Sequence, residues 1–371
     1  MKKSKKLISL LLVLTLIAGV LAGCGKKEDA PAEDPKTEAP ATEPEGAKKF
    51  ETLNVGTQPV TVGFPVLYAD EQGWFDEVGL DVNIVIFPTG APINEAIAAG
   101  ELDVACSGFA SVYALANSDC SWLADVNTAG GMGLYARQDS AIVKAGKNLA
   151  NLPNVYGDAE SVKGTQILEP LGTSAQFATE SYLNLLGLTD GDVEQVHMEY
   201  APAYQAFTAG EGDIGSFSPP YSYSMETDGH VEICSFEDAT GVVLTDGCFA
   251  RNEVIDERSE EVQLFIEVLL RAMDALQDDD LRFEYTQKKY AENAQDVTDE
   301  QMWNEIRDRA YCGTEYVSSD SYVFGDCWGA ITDFLVKVEK IPAENAPNVF
   351  ASFNPSFLEK ATGLTVEVYQ Q

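Results

Sequence analysis

A sixteen-residue unit occurs twice in this chain, 110 positions apart, and it restricts the fold more than any other feature. Residues 93–108 read INEAIAAGELDVACSG and residues 203–218 read AYQAFTAGEGDIGSFS. Ala96 and Ala206, Ala99 and Ala209, Gly100 and Gly210, Glu101 and Glu211, and Asp103 and Asp213 coincide. Each copy has the pattern of a helix stopped by a C′ glycine, an acidic turn, a short strand, and small polar residues at the strand's end. A chain that repeats such a unit is expected to build two similar α/β lobes. In open α/β sheets ligands sit beyond the carboxyl ends of the strands, near helix N-termini. Two such edges facing each other make a cleft, so the echo predicts a binder that clamps a small solute between lobes.

The N-terminal end speaks to location. Residues 1–23 carry a basic start (Lys2, Lys3, Lys5, Lys6) and an apolar run from Leu7 to Leu21. That is the layout of a secretory signal peptide, too short and wrongly flanked for a mature membrane span. It closes on Leu21-Ala22-Gly23-Cys24, which resembles the bacterial lipoprotein box and implies cleavage before Cys24 and a lipid on that cysteine. Residues 24–49 then carry Pro31, Pro35, Pro40 and Pro44 among lysines, acids and small residues, with no aromatic side chain. Such a segment cannot bury enough apolar surface to fold and reads as a tether. Lipid, tether and body place the chain on the outer face of a bacterial cytoplasmic membrane, lipid-anchored.

Residues 50–371 are long enough for two lobes and a sizeable core. The whole chain has 24 basic and 60 acidic residues. Residues 1–49 hold nine lysines and seven acids, leaving 15 basic and 53 acidic in the body, a net of −38. Phosphate-backbone affinity needs a basic surface, so nucleic acid is excluded as a partner. The acids read first as a solubilising surface, and they oppose an anionic ligand unless local dipoles or an arginine offset them. Beyond Cys24, six cysteines remain: Cys106, Cys120, Cys234, Cys248, Cys312 and Cys327. In an exported chain they allow three disulfides, and spacings of 14, 14 and 15 residues make sequence-neighbour pairing attractive; six free buried thiols are the alternative. With only His197 and His230 and no Cys-x-x-Cys, no metal site or cofactor is expected.

Along the body, Leu53–Gly56, 82–87 and 103–106 read as strands, separated by a helix opening at Pro65 and by the first echo helix after Thr89-Gly90. Strands at 164–167 and 193–198 flank a helix from Thr173-Ser174 to Gly187 before the second echo unit. Val262, Phe265, Ile266, Leu269, Leu270, Met273 and Leu276 fall at the spacing of an amphipathic helix. Helices near 300–310 and 326–338 complete an α-rich end. Strand–helix alternation means right-handed crossovers and mainly parallel sheets.

Several phrases resemble solute-binding proteins of ABC importers in the sulfonate/nitrate/taurine group, which includes thiamine-precursor pyrimidine binders. They are Tyr68-Ala69 through Gly73-Trp74-Phe75-Asp76-Glu77-Val78-Gly79-Leu80, then Ala99-Gly100-Glu101-Leu102-Asp103-Val104-Ala105, then Val162-Lys163-Gly164 leading to Leu171-Gly172-Thr173-Ser174-Ala175. Ala209-Gly210-Glu211-Gly212-Asp213 and Asn354-Pro355-Ser356-Phe357-Leu358-Glu359 also fit. The resemblance implies an α/β type II periplasmic-binding-protein fold, two lobes with mainly parallel sheets joined by a two-crossing hinge, and no catalysis. Lobe 1 is expected over 50–136, lobe 2 over 137–243, and a return to lobe 1 with C-terminal helices over 244–371. It further implies delivery of a small-molecule ligand to ABC permease subunits by a monomer. The alternatives are a sensor or pyrimidine-synthase-like enzyme on the same fold, or a surface lipoprotein with no transport role.

The residues expected to bind ligand follow from predicted strand ends and helix entries. Thr173 and Ser174 begin a helix, where hydroxyls and free N–H groups either hold an anionic group or cap their own helix; Thr89 and Gly90 present the same choice. Gln58, Ser107, Gly108 and Ser218 are neutral donors and acceptors at strand ends. Phe64, Tyr204 and Tyr221, with Tyr223, can supply flat apolar walls. His197, within an apolar strand, is expected to be core. No GxSxG, HExxH or P-loop pattern is present, and no catalytic residue is assigned.

Overall fold

Both copies of the repeated unit fold alike, down to single hydrogen bonds. In the computed structural model, which describes residues 50–293, 295 and 297–371, the helices Gly90–Ala98 and Tyr200–Thr208 each end at a glycine of positive φ, Gly100 (75°) and Gly210 (99°). The chain then turns through an aspartate into a short strand. Asp103 N donates to Asn54 O and Asp213 N to Gln166 O, both at 2.8 Å. The carboxylates return the contact: Asp103 Oδ2 accepts Asn54 N–H and Asp213 Oδ2 accepts Gln166 N–H, both at 2.9 Å. Each aspartate thus pins its own strand to the start of the neighbouring parallel strand.

The strands of the two main sheets are β1 (Leu53–Thr57), β2 (Val82–Ile86), β3 (Val104–Ser107), β4 (Cys120–Thr128), β5 (Gly133–Ala136), β6 (Gln166–Glu169), β7 (Glu194–His197), β8 (Ile214–Phe217), β9 (Val231–Ser235) and β10 (Thr245–Arg251). They form two five-stranded sheets, ordered β2-β1-β3-β10-β4 and β7-β6-β8-β5-β9. In the first, β1 pairs parallel with β2 and β3, while β10 runs antiparallel to both β3 and β4. In the second, β6 pairs parallel with β7 and β8, while β5 runs antiparallel to β8 and β9. Four strands of each sheet therefore point one way and one opposes them, which makes both sheets mainly parallel. The opposed strand is in each case the one the chain enters on arriving from the other sheet.

Two linkers, residues 129–132 and 236–244, carry the chain between sheets. The first crossing falls earlier than expected. Gly133–Ala136, assigned from the sequence to the end of the first lobe, pairs with β8 and β9 in the second sheet. A four-residue apolar strand next to glycines carries no mark of which sheet it will join.

The helix Ser259–Ala275 packs its apolar face on the first sheet's side of the core, stacking Phe265 on Phe75 with ring centroids 5.5 Å apart. Trp122 and Trp328 meet edge-to-face at 4.8 Å, both fully buried. None of the described helices is long and apolar enough to cross a membrane. The segments read from the sequence as signal peptide and tether, with Cys24, lie outside the described residues.

The disulfide expectation is corrected. All six cysteines of the body are free and buried. Cys106 on β3 lies opposite Cys248 on β10, not beside Cys120, because β10 intervenes between β3 and β4. Cys234 sits in the second sheet, away from Cys248 in the first. Equal sequence spacing was therefore no guide to spatial pairing. His197 is also corrected: it is exposed, at the end of an edge strand, with Nδ1 accepting Leu171 N–H at 3.1 Å.

The two pinning aspartates differ in one respect that predicts a difference in stability. Asp103 also meets Arg251 at 3.0 Å and Arg258 at 3.3 Å, whereas Asp213 holds a backbone amide alone. Asp103→Ala leaves two half-buried guanidinium groups without their shared partner and is expected to cost about 3 kcal/mol. Asp213→Ala removes one hydrogen bond to a charged group and is expected to cost about 1.5 kcal/mol. Urea unfolding of the two variants checks the order; equal losses would contradict it.

Candidate functional site

The same edge of each sheet faces one cavity of about 390 Å³. Its wall includes residues within three positions of the carboxyl ends of parallel strands: Gln58 after β1, Thr89 after β2, Gly108 after β3, Pro170 after β6, Glu199 after β7 and Ser218 after β8. The opposed strands contribute from their amino ends, Met132 before β5 and Asp246 within β10. Helix entries come with those strand ends. Gly90 opens the helix Gly90–Ala98 and Ser174 opens the helix Ser174–Leu185, and both line the cavity.

Of the residues singled out in the sequence, Gln58, Thr89, Gly90, Ser107, Gly108, Thr173, Ser174, Ser218 and Tyr221 line this cavity. Two do not. Phe64 is wholly buried, edge-on to Tyr290 at 5.5 Å and Tyr285 at 6.4 Å. Tyr204 hydrogen-bonds Asp228 at 2.7 Å and packs its ring against Phe217 and Tyr221. Both were read as walls because they follow strands or open helices; helical spacing turned them away. Tyr223 faces a different cavity. Arg137, near the first crossing, donates to Gly212 O and lies over the Phe207 ring, away from the cleft.

Thr173 and Ser174 divide the two roles open to helix-entry hydroxyls. Thr173 Oγ1 accepts Ala175 N–H at 3.2 Å and donates to Pro170 O at 2.6 Å, so it caps its own helix. Ser174 Oγ makes no hydrogen bond among the described residues and remains available at the cavity wall. Thr89, the N-cap of the other helix, makes no side-chain capping bond. Gln58 Oε1 accepts the Ser107 hydroxyl at 3.0 Å, and the Ser218 hydroxyl donates to Tyr200 Oη at 3.0 Å.

Sequence reading missed Arg309, Asp246, Tyr200, Glu199, Tyr290 and Gln295, all of which line the cavity. Arg309 is its single lining cation. Its Nε donates to Gly130 O at 3.1 Å and lies 3.9 Å from Glu305. Burial opposes its charge, but Glu305, the nearby phenols and Asp246 hold its pKa above the ordinary arginine value. Its two Nη groups have no hydrogen-bond partner among the described residues. Asp246 is buried behind Gly108, where an added Cβ would meet its Oδ1 at 2.3 Å, and it accepts Asn127 Nδ2–H at 3.0 Å. Burial raises its pKa, with Arg309 acting against the rise. No local pattern marks Arg309; it is one arginine at the C-cap of the acidic helix Asp299–Asp308.

One flank of the cavity is closed between the two sheets' helices. Tyr113 Oη donates to Gly172 O at 3.2 Å, and Phe109 lies 6.4 Å from Phe177. Below the floor, Glu169 ends β6 wholly buried. Its Oε2 accepts the Thr179 hydroxyl and its Oε1 has no partner among the described residues. Burial, reinforced by Glu180, pushes its pKa up to about 8 despite the Thr179 bond.

A two-sheet body with a cleft at the strand ends and linkers crossing twice is the architecture of periplasmic binding proteins. Residues 46–288 match the NMT1-like family, and the chain belongs to that family. A protein of Brachyspira hyodysenteriae, provisionally named an ABC transporter periplasmic binding protein, is 29% identical over 363 residues, covering 97% of this chain and 99% of the relative. Among solved structures, the periplasmic aliphatic sulphonate-binding protein of Escherichia coli superposes with a TM-score of 0.62 at 16% identity, over 80% of this chain and 91% of its own. The periplasmic nitrate-binding protein of Synechocystis PCC 6803 gives 0.64 at 14% identity, over 84% and 88%. At those identities the structures establish the shared fold. Tyr290, Gln295 and Arg309 lie beyond the family match.

Two outcomes are expected of the unliganded protein. Thr173→Ala, which removes a cap, lowers stability by about 1 kcal/mol, whereas Ser174→Ala changes it by less than about 0.5 kcal/mol; denaturant titration separates them. Glu169 has a folded-state pKa above its unfolded value near 4.5. Its contribution is therefore fully present below that value and is lost as pH rises through about 8. Stability measured from mildly acidic to mildly alkaline pH should fall by up to roughly 1.4 kcal/mol per unit in this window, and Glu169→Gln should flatten that slope. Identical slopes in the two proteins would contradict the assignment.

Proposed function

We propose that this chain is an extracytoplasmic solute-binding lipoprotein of an ABC importer. It captures a small organic anion, of sulfonate or carboxylate type, in the cavity between the sheets and delivers it to membrane permease subunits. The observation that carries the reading is the convergence at one cavity of three anion-attracting groups: the open Nη groups of Arg309, and the N-termini of the helices beginning at Gly90 and Ser174. They offset locally the field of the acidic body. Tyr200, Tyr221, Phe109, Pro219 and Met132 offer an apolar flank for the rest of the solute. The names of the Brachyspira relative and of the sulphonate- and nitrate-binding proteins support the transport role. In this reading the protein acts as a monomer held by lipid on Cys24, its sheets act as two lobes, and the linkers 129–132 and 236–244 act as the hinge. Contacts from both lobes then make the ligand select the closed state. No residue is assigned a catalytic role.

A second reading has an observation of its own. Asp246, whose pKa burial raises, lines the same cavity as the near-parallel rings of Tyr200 and Tyr221, 6.5 Å apart at 17°. That pairing suits a neutral nitrogen heterocycle of the thiamine-pyrimidine kind, stacked and hydrogen-bonded to a carboxyl.

Thermal unfolding with a panel of sulfonates, taurine, nitrate, bicarbonate, thiamine pyrimidines and flavins tests both. A ligand at a hundred times its dissociation constant stabilises by about 2.7 kcal/mol, well within detection. The anion reading expects a sulfonate or carboxylate response that Ser174→Ala weakens and Arg309→Gln removes. The heterocycle reading expects a pyrimidine response that survives Arg309→Gln and is lost in Asp246→Asn. A flat panel would contradict both cargo classes.

A further inference from the structure

A second cavity, of about 300 Å³, sits against both linkers, and its lining is more acidic than that of the cleft. Gly131 and Met132 of the first linker and Glu237 of the second form part of its wall, and Met132 alone is shared with the cleft. Glu232 of β9, Glu226 of the helix Tyr221–Thr227 and Asp308 of the helix Asp299–Asp308 complete an acidic lining. The cavity's one cation, Arg307, is already engaged. It holds Asp308 through two bonds of 2.9 and 3.4 Å and Asn304 at 3.0 Å. Glu226, Glu232 and Glu237 are left without an ion-pair partner among the described residues.

The pKa values of the three carboxyls all shift upward. Burial raises all three, Glu232 to about 7, and neighbouring acids add to the rise, while Arg307 acts against it at Glu226, the Tyr135 bond at Glu232 and Arg309 at Glu237. An independent feature points the same way. Tyr223 is 5% exposed, and its hydroxyl makes no hydrogen bond among the described residues. The hydroxyl lies against Gly131 at the cavity wall, where an added Cβ would approach it to 2.5 Å. An orphaned phenol oxygen is an acceptor awaiting a donor. The Tyr135 hydroxyl lies 3.3 Å from Glu232 on the same wall. Among the described residues no three carboxylate, imidazole or thiol groups are placed to hold a metal ion. Separated carboxyls, a free phenol oxygen, and the flanks of Tyr135, Tyr223 and Met132 fit a cation with a carbon chain.

We propose that this cavity is a second ligand site, binding a small organic cation of the alkyl-diamine class, with its ammonium groups on the carboxylates and the Tyr223 hydroxyl. The site is separate from the solute cleft and stands whether or not the cleft takes an anion.

Isothermal titration of the full chain in mild detergent with 1,4-diaminobutane and 1,5-diaminopentane, at an ionic strength of about 0.15 M, tests it. One diamine per chain is expected, with butylamine weaker and magnesium chloride failing to displace the diamine. Glu232→Gln should weaken binding about tenfold and Tyr223→Phe about threefold, as loss of a charge-assisted and a neutral hydrogen bond would. The exposed substitution Glu344→Gln should leave it unchanged. Tyr223→Phe keeps the ring and removes a hydroxyl that bonds nothing, so it decides the matter if Glu232→Gln fails to fold. Absence of saturable binding would overturn the proposal. So would equal effects of Glu232→Gln and Glu344→Gln, or displacement by magnesium, which describe counter-ion binding to an acidic surface.

Discussion

A carboxylate that accepts the backbone N–H of the strand beside it sets the geometry of each sheet. Asp103 does this for Asn54 and Asp213 for Gln166, at the same distance and at equivalent points of the two repeats. The bond fixes where a strand begins relative to its parallel neighbour, and a register shift of one residue would turn every side chain to the opposite face. With register fixed, the far ends of β1, β3, β6 and β8 reach a common level. There the chain exposes Gln58, Gly108, Pro170 and Ser218 to one cavity. The cleft is a consequence of two aspartates, Asp103 buried and Asp213 exposed, at the other end of the strands.

The electrostatic problem of the molecule is solved locally. A body of net charge −38 opposes anions at long range, yet Arg309 and a helix N-terminus from each sheet line the cleft. Arg309 stays charged in a buried position because Glu305 accompanies it, and its orientation is set by Gly130 O in the first linker. The cation that colours the cleft thus reports on the segment joining the sheets. The same linker also lines the acidic cavity, and Met132 borders both spaces.

Much of this was legible in the sequence. The repeat, its C′ glycines and its strand-end serines located both sheets' working edges, and nine of the eleven ligand-site candidates line the cleft. These are short-range signals: caps, turns and strand tips are decided within a few residues. What escaped depends on long-range placement. Arg309 and Asp246 enter the cleft from segments with no local mark, carried there by the return of the chain through β10 and the C-terminal helices. Phe64 and Tyr204 stood beside the right turns, but their side chains point into the packing of Tyr285, Tyr290 and Phe217. The cysteines misled for a related reason, since equal spacing says nothing of strand order once β10 inserts between β3 and β4.

Hydrogen–deuterium exchange of the body, with and without whichever solute stabilises it, tests the central claim most directly. A ligand held between the sheets should slow exchange at both sets of strand tips, around 88–90 and 107–110 in one and 170–174 and 218–221 in the other. The linkers 129–132 and 236–244 should change with them. Protection confined to one sheet's edge, or to a surface away from both, would contradict a solute clamped between the two.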